Sequence, residues 1–243
     1  MMAGTKFTGP ILNRDRTDRS DTDTRKFFSN LPMGQEPDYC VYMNDFLVEQ
    51  DYAAADWTIT TTEAGSGSAT EALAADEPCG ALLITNDDAD NDSNELQLTQ
   101  ENWRLTSGKK LWMEMRLKVN DATQSDLFVG LAITDTTIID GTTDSVGFRK
   151  DDGDVNIDVV SEKDSTEELT DSGKDLADDT YVKLGFFYNG AGSIRFFVDR
   201  NQVAEHTTTI PDDENLCVTL ALQNGAAAAK TMTVDYIYVA QER

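Results

Sequence analysis

From residue 39 onward the chain alternates apolar and polar positions with period two, and turn formers interrupt the alternation every ~8–15 residues. Leu111, Met113, Met115, Leu117 and Val119 fall on one side and Trp112, Glu114, Arg116 and Lys118 on the other, which predicts a strand over 111–119. The same alternation in 181–188 (Val182, Leu184, Phe186, Tyr188) runs into Asn189-Gly190, a dipeptide suited to a tight hairpin. Further strands are expected over 194–199, 203–206, 217–222 and 232–239, and over 41–46, 57–62, 80–85, 96–100, 127–133, 146–150 and 155–162. No amphipathic helix is apparent; 53–56 and 71–75 make single turns at most. About a dozen short strands without helices predict an all-β fold, an antiparallel two-sheet β-sandwich or jelly roll over 39–243.

Residues 1–38 break the pattern and read as an extended N-terminal arm. Their centre, TDRSDTDTRK, has almost nothing to bury. Two apolar groups flank it, Phe7, Ile11 and Leu12 on one side and Phe27, Phe28 and Leu31 on the other, with Arg14, Arg16, Arg19, Arg25 and Lys26 between. Fully extended, such a segment reaches on the order of 130 Å. It is suited to anchoring on another surface.

Charge sharpens the division. The chain carries 45 acidic and 20 basic residues, a formal charge of −25. Residues 1–39 net zero, so the rest holds all of it. A body this acidic is repelled by phosphate backbones and anionic bilayers, which excludes nucleic acid and membrane as partners. Cys40, Cys79 and Cys217 are too few and too widely spaced for a disulfide framework or a zinc site, and free thiols are expected. The start MMAGTKFTGP lacks the apolar stretch of a signal peptide, and no run approaches a membrane span, so a soluble, unexported protein is expected.

In this order the strands resemble the concanavalin A-like (laminin-G-like) jelly roll. The residues concerned are the opening Trp57, then Gly80-Ala-Leu-Leu-Ile-Thr, Glu114 to Val119, Phe128-Val-Gly-Leu, Val146-Gly-Phe, Phe196-Phe-Val-Asp and Val234-Asp-Tyr-Ile-Tyr-Val. Arg200 stands where the family motif has glycine. A second resemblance involves GTKFTGPI, the polar arm, LPMGQEPDY and NDFLVEQDYAAADW: together they look like head-associated structural proteins of marine tailed bacteriophages. That resemblance implies a capsid decoration, or cement, protein on the virion's outer surface. Its partners would be the major capsid protein and further copies of itself, as a trimer, with the arm as anchor.

The chemistry-bearing residues are sparse. His206 is the one histidine, and its place in AEHTTT predicts an exposed ring at a strand end. The glucanases of this jelly roll carry E-x-D-x-x-E on one strand, which this chain lacks; its nearest acidic alternation is Asp152, Asp154, Asn156, Asp158. That run and Asp88, Asp90, Asp92, Asn94 alternate as calcium ligands do. Yet Ser93 and Ile157 replace the loop glycine of a calcium hand, and Thr99 and Lys163 its glutamate. Solvated turns without a bound metal or cofactor are expected. Trp57, Trp103 and Trp112 are expected to pack in a core or between subunits. Trp112, which points away from Leu111 and Met113, is the alternative candidate for stacking on a sugar. The sequence therefore predicts a non-enzymatic virion protein, with a carbohydrate-binding module displayed toward host glycans as the alternative.

Overall fold

The computed structural model describes residues 38–52 and 54–243, with the backbone of a two-residue ladder between β1 (Leu12–Asn13) and β2 (Leu31–Pro32). The remaining arm residues, Phe7, Ile11, Arg14, Arg16, Arg19, Arg25, Lys26, Phe27 and Phe28 among them, lie outside the described residues. The body opens with β3 (Tyr39–Asn44), a 3-10 turn (Glu49–Tyr52), β4 (Trp57–Thr62), β5 (Thr70–Leu73), β6 (Leu82–Thr85) and β7 (Ser93–Leu98). There follow β8 (Leu111–Val119), β9 (Ser125–Ala132), β10 (Ser145–Lys150), β11 (Asn156–Lys163) and β12 (Thr166–Asp175). The chain closes with β13 (Val182–Tyr188), β14 (Ile194–Val198), β15 (Asn201–His206), β16 (Cys217–Asn224) and β17 (Thr231–Glu242).

These strands form two antiparallel sheets packed as a sandwich. One runs β12-β11-β10-β9-β16-β7-β4; the other runs β15-β14-β13-β8-β17-β6-β5, with β3 also paired to β17. The alternation seen in the sequence sets the inner faces. Met113, Met115 and Leu117 of β8 meet Val129, Leu131, Val218 and Leu220 of the opposite sheet in one core. Each such buried side chain stabilises the fold by about 1.5–3 kcal/mol.

Two polar strands escape the alternation rule. β5 forms where only a turn is expected, and β12 is an edge strand with a single large apolar residue, Leu169. β17 shifts register between Val234 and Tyr236, a bulge at Asp235. The extra residue lets both Val234 and Ile237 enter the core although they are three apart.

Candidate functional site

The β3–β4 connection carries a groove of about 560 Å³. Two side chains shape it. The Asn44 amide accepts from the Phe46 N–H at 2.9 Å and donates to the Asp51 carbonyl at 2.8 Å and the Tyr42 hydroxyl at 3.1 Å. The Asp51 carboxylate accepts from the Leu47 and Val48 N–H groups at 2.7 and 3.1 Å, while the Trp57 indole donates to the Asp51 carbonyl at 2.9 Å. With its backbone polar groups thus satisfied, this loop turns its apolar side chains to solvent: Met43, Leu47 and Val48 are 49%, 62% and 49% exposed. The rim is acidic, with Asp45, Asp51 and Asp56 among its lining residues. Burial, then repulsion from Asp235 and Asp51, holds the Asp45 carboxyl above the usual carboxylate range.

A small apolar cluster covers part of the outer face of each sheet. On the sheet containing β9, the Gly130–Gly147 pair brings two backbones close: a Cβ at Gly130 would lie 2.3 Å from the Val146 carbonyl and 3.1 Å from the Phe128 ring. The β9–β10 loop folds onto this surface, and Ile138 packs with Phe128, Ala132, Val160 and Ala221. Glu95, buried on β7, fastens the loop by accepting the Ile138 N–H at 3.1 Å. Burial raises the Glu95 pKa, and the Ile138 and Ile139 N–H groups only partly offset this. A carboxylate engaged in this way holds a loop and has no open space for a substrate.

On the opposite sheet Trp112 does point outward, but it is 2% exposed beneath Tyr39, Val41, Phe187, Phe197 and Tyr238. Its ring lies 5.4 Å from that of Phe187 and 6.4 Å from that of Tyr39. The stacking role suggested by the sequence therefore has no free ring face behind it. Alternation told which side Trp112 is on, but not that β3 would cover that side.

His206 also departs from expectation. It is 1% exposed; Nδ1 is 2.8 Å from the Ser161 hydroxyl and Nε2 3.0 Å from that of Thr170. Burial pushes its pKa down, with Glu168 opposing, and the ring sits between the two hydroxyls. All three cysteines are free: Cys40 half-buried, Cys79 exposed and Cys217 buried.

The acidic runs divide. Asp152 and Asp154 are exposed, and the Asp154 carboxylate caps the Val155 and Asn156 N–H groups. Asp158 sits on β11 opposite Asp171. Asp88 and Asp90 are exposed, whereas Asp92 is 1% exposed and meets Asp87 and Glu63. The alternation read in this run thus does not bring Asp88, Asp90 and Asp92 together, because these three lie in the β6–β7 loop and not on a strand.

Sheet order and packing define the fold as a concanavalin A-like jelly roll, and solved structures agree. The chain is similar to an endo-1,3-β-glucanase from Streptomyces sioyaensis, with 13% identity and a TM-score of 0.61 over 87% of this chain and 99% of that one. It is similar to a Shewanella oneidensis MR-1 protein of unknown function, with 15% identity and a TM-score of 0.60 over 87% and 90%. It is also similar to peanut lectin, with 8% identity and a TM-score of 0.55 over 84% and 97%. Enzymes and lectins thus share this fold, which does not choose between them. No family model and no curated protein matches the sequence.

Proposed function

We propose that this chain is a non-catalytic binding protein of a virion, a decoration or cement protein on the outside of a tailed-phage head. One observation carries the binding role. Three of the four large apolar side chains exposed among the described residues, Met43, Leu47 and Val48, sit together beside the groove, on the segment that directly follows the arm. Such a patch next to an anchoring segment suits a protein–protein contact, while Ile138 and the Trp112 cluster cover the apolar parts of the outer sheet faces. The virion assignment rests on the sequence resemblance of the arm and of residues 44–57. The partners in this reading are the major capsid protein and two further copies in a closed trimer around local threefold positions of the shell. Binding only the assembled shell would stabilise it by linkage.

Co-sedimentation with expanded heads built from the cognate capsid protein tests this reading. The full chain is expected to pellet with heads, and Leu47→Asp/Val48→Asp to lose at least about tenfold in affinity, as expected for truncating a hot spot of about 1.4 kcal/mol or more. Equal binding by that variant would remove the patch from the interface. A full chain that ignores heads would end the virion reading.

The groove also favours a second reading, a glycan-binding module. Its lining includes Tyr42, Asn44, Gln50, Gln100 and Asn102, groups suited to hydroxyl-rich ligands, and a carbohydrate recognition domain of Emp46p shares the fold with 11% identity. A glycan-array hit on the full chain that Asn102→Ala abolishes would promote it over the first.

A further inference from the structure

We propose that Glu63, Asp87 and Asp92 bind one calcium ion at the end of the sandwich where the β4–β5, β6–β7 and β16–β17 loops meet. One ligand oxygen from each of these residues lies within 4.8 Å of the other two. No Lys or Arg pairs with any of them among the described residues. Three carboxylates so placed repel one another, and a cation between them reverses the sign of that energy.

A second observation is independent of the acidic cluster. Six buried side-chain polar atoms lack a hydrogen-bond partner among the described residues, and three of these are amide oxygens at this end that belong to none of the carboxylates: Asn86 Oδ1, Asn94 Oδ1 and Asn224 Oδ1. Asn86, Asn94 and Asn224 are at most 1% exposed. Their amide nitrogens are engaged, which fixes where the oxygens lie. Asn86 Nδ2 donates to the Asp92 carbonyl at 2.9 Å, and Asn224 Nδ2 to the Asp87 and Ala89 carbonyls at 2.6 and 2.9 Å. Both amides are thus held against the loop that carries Asp87 and Asp92, with their oxygens short of a donor. Glu63 Oε1 takes the Ala69 N–H at 2.7 Å, leaving Oε2 as the unpaired oxygen within the cluster. Buried acceptors in excess, beside uncompensated carboxylates, call for a positive ligand.

The backbone makes room for this arrangement. A Cβ on Gly67 would fall 1.4 Å from Asp87 Oδ2, so Asp87 occupies the space that any side chain at 67 would need. The donors are all oxygen, which argues for a hard cation over zinc or copper. Their irregular supply from three loops suits the flexible shell of calcium better than the strict octahedron of magnesium.

Calorimetric titration of the chelator-stripped full chain with CaCl2, alongside thermal melts, tests the site. One ion per chain is expected, with Tm rising by about 5–10 °C at a hundredfold excess over Kd. Glu63→Gln/Asp87→Asn leaves Asp92 intact, because the Asp92 oxygens hold the Ala64 and Ala89 N–H groups. Without calcium this variant should melt at or above the parent, because repulsion is relieved; with calcium it should melt below, its affinity down at least about tenfold. Gly67→Ala should weaken binding with no change of charge. Absence of heat and of a Tm shift at about 5 mM CaCl2, above the Kd of even weak calcium sites, overturns the proposal. So do parent-like binding by both variants and an equal response to MgCl2.

Discussion

Arg200 shows how one residue can reverse a motif's logic. In the family pattern a glycine follows the aspartate of the β14–β15 turn, and here both turn residues have positive φ, Asp199 at 49° and Arg200 at 63°. A non-glycine residue in that conformation costs about 1 kcal/mol. What offsets the cost is the side chain, whose Nε and Nη2 hold the two Glu114 oxygens at 3.0 and 2.9 Å. Glu114 is only 2% exposed, and the Tyr236 hydroxyl donates to it at 2.5 Å. The bond to Glu114 pushes the Arg200 pKa up, and burial followed by the same carboxylate pushes up that of Tyr236. Arg200→Gly should therefore destabilise the protein, although glycine is the residue of the motif that this turn resembles. The loss should be about 2 kcal/mol, a figure already reduced because the guanidinium is half exposed. Adding Glu114→Gln should recover most of it. Urea melts of the single and double variants would measure both effects, and an Arg200→Gly protein as stable as the parent would show that the pair contributes no more than the backbone cost that glycine relieves.

At the scale of elements, the sequence was legible where a strand has one apolar and one polar face. Leu111–Val119 and Trp57–Thr62 are read to the residue, since β8 and β4 each contribute such a face. β12 was not legible: TEELTDSGKD has no apolar alternation, because an edge strand needs few core residues. Missing β12 also hid His206, whose partner Thr170 lies on it. The groove and the Glu63–Asp87–Asp92 cluster were illegible for a related reason. Each joins side chains from separate loops, and local spacing carries no record of that. β12 carries its own liability, since Asp171 stands directly across from Asp158. Burial, and next Asp171, raise the pKa of Asp158. A carboxyl whose folded pKa is raised costs stability while ionised, and the cost disappears as pH falls through that pKa. Asp158→Asn should thus raise Tm by about 1–2 °C at pH 7 and low salt, an effect of roughly 0.5 kcal/mol. The gain should shrink in high salt and at pH 4. A lower Tm at pH 7 would mean that Asp158 is held by favourable contacts and not by the sheet alone.

For the molecule as a whole, where the arm ends and the body begins is a question for truncation, and β3 is the element on which it turns. It pairs with β17 from Tyr39↔Glu242 to Asn44↔Ile237. Tyr39 and Val41 lie over Trp112, Phe187 and Phe197, and Arg243 closes the junction by donating to the Asp38 and Tyr39 carbonyls. The first segment of the body therefore extends one sheet and completes the apolar cluster around Trp112 on its outer face. Deleting residues 2–30 leaves every one of these contacts, so Tm should change by less than about 3 °C, equivalent to about 1 kcal/mol. Deleting 2–44 removes the β17 ladder partner and uncovers Trp112. That loss of apolar cover and hydrogen bonds should cost at least about 3 kcal/mol, or about 6–12 °C. Tryptophan emission gives a second readout: it should shift to the red in the longer deletion only, as water reaches the Trp112 ring. The two truncations also separate folding from the proposed assembly role: on that reading the shorter one should keep the melt of the full chain while losing its hold on heads. If both deletions melt equally low, the arm is part of the folded unit and the boundary at 38/39 is wrong. If both melt like the parent, β3 is dispensable, and the cover over Trp112 contributes nothing to the fold.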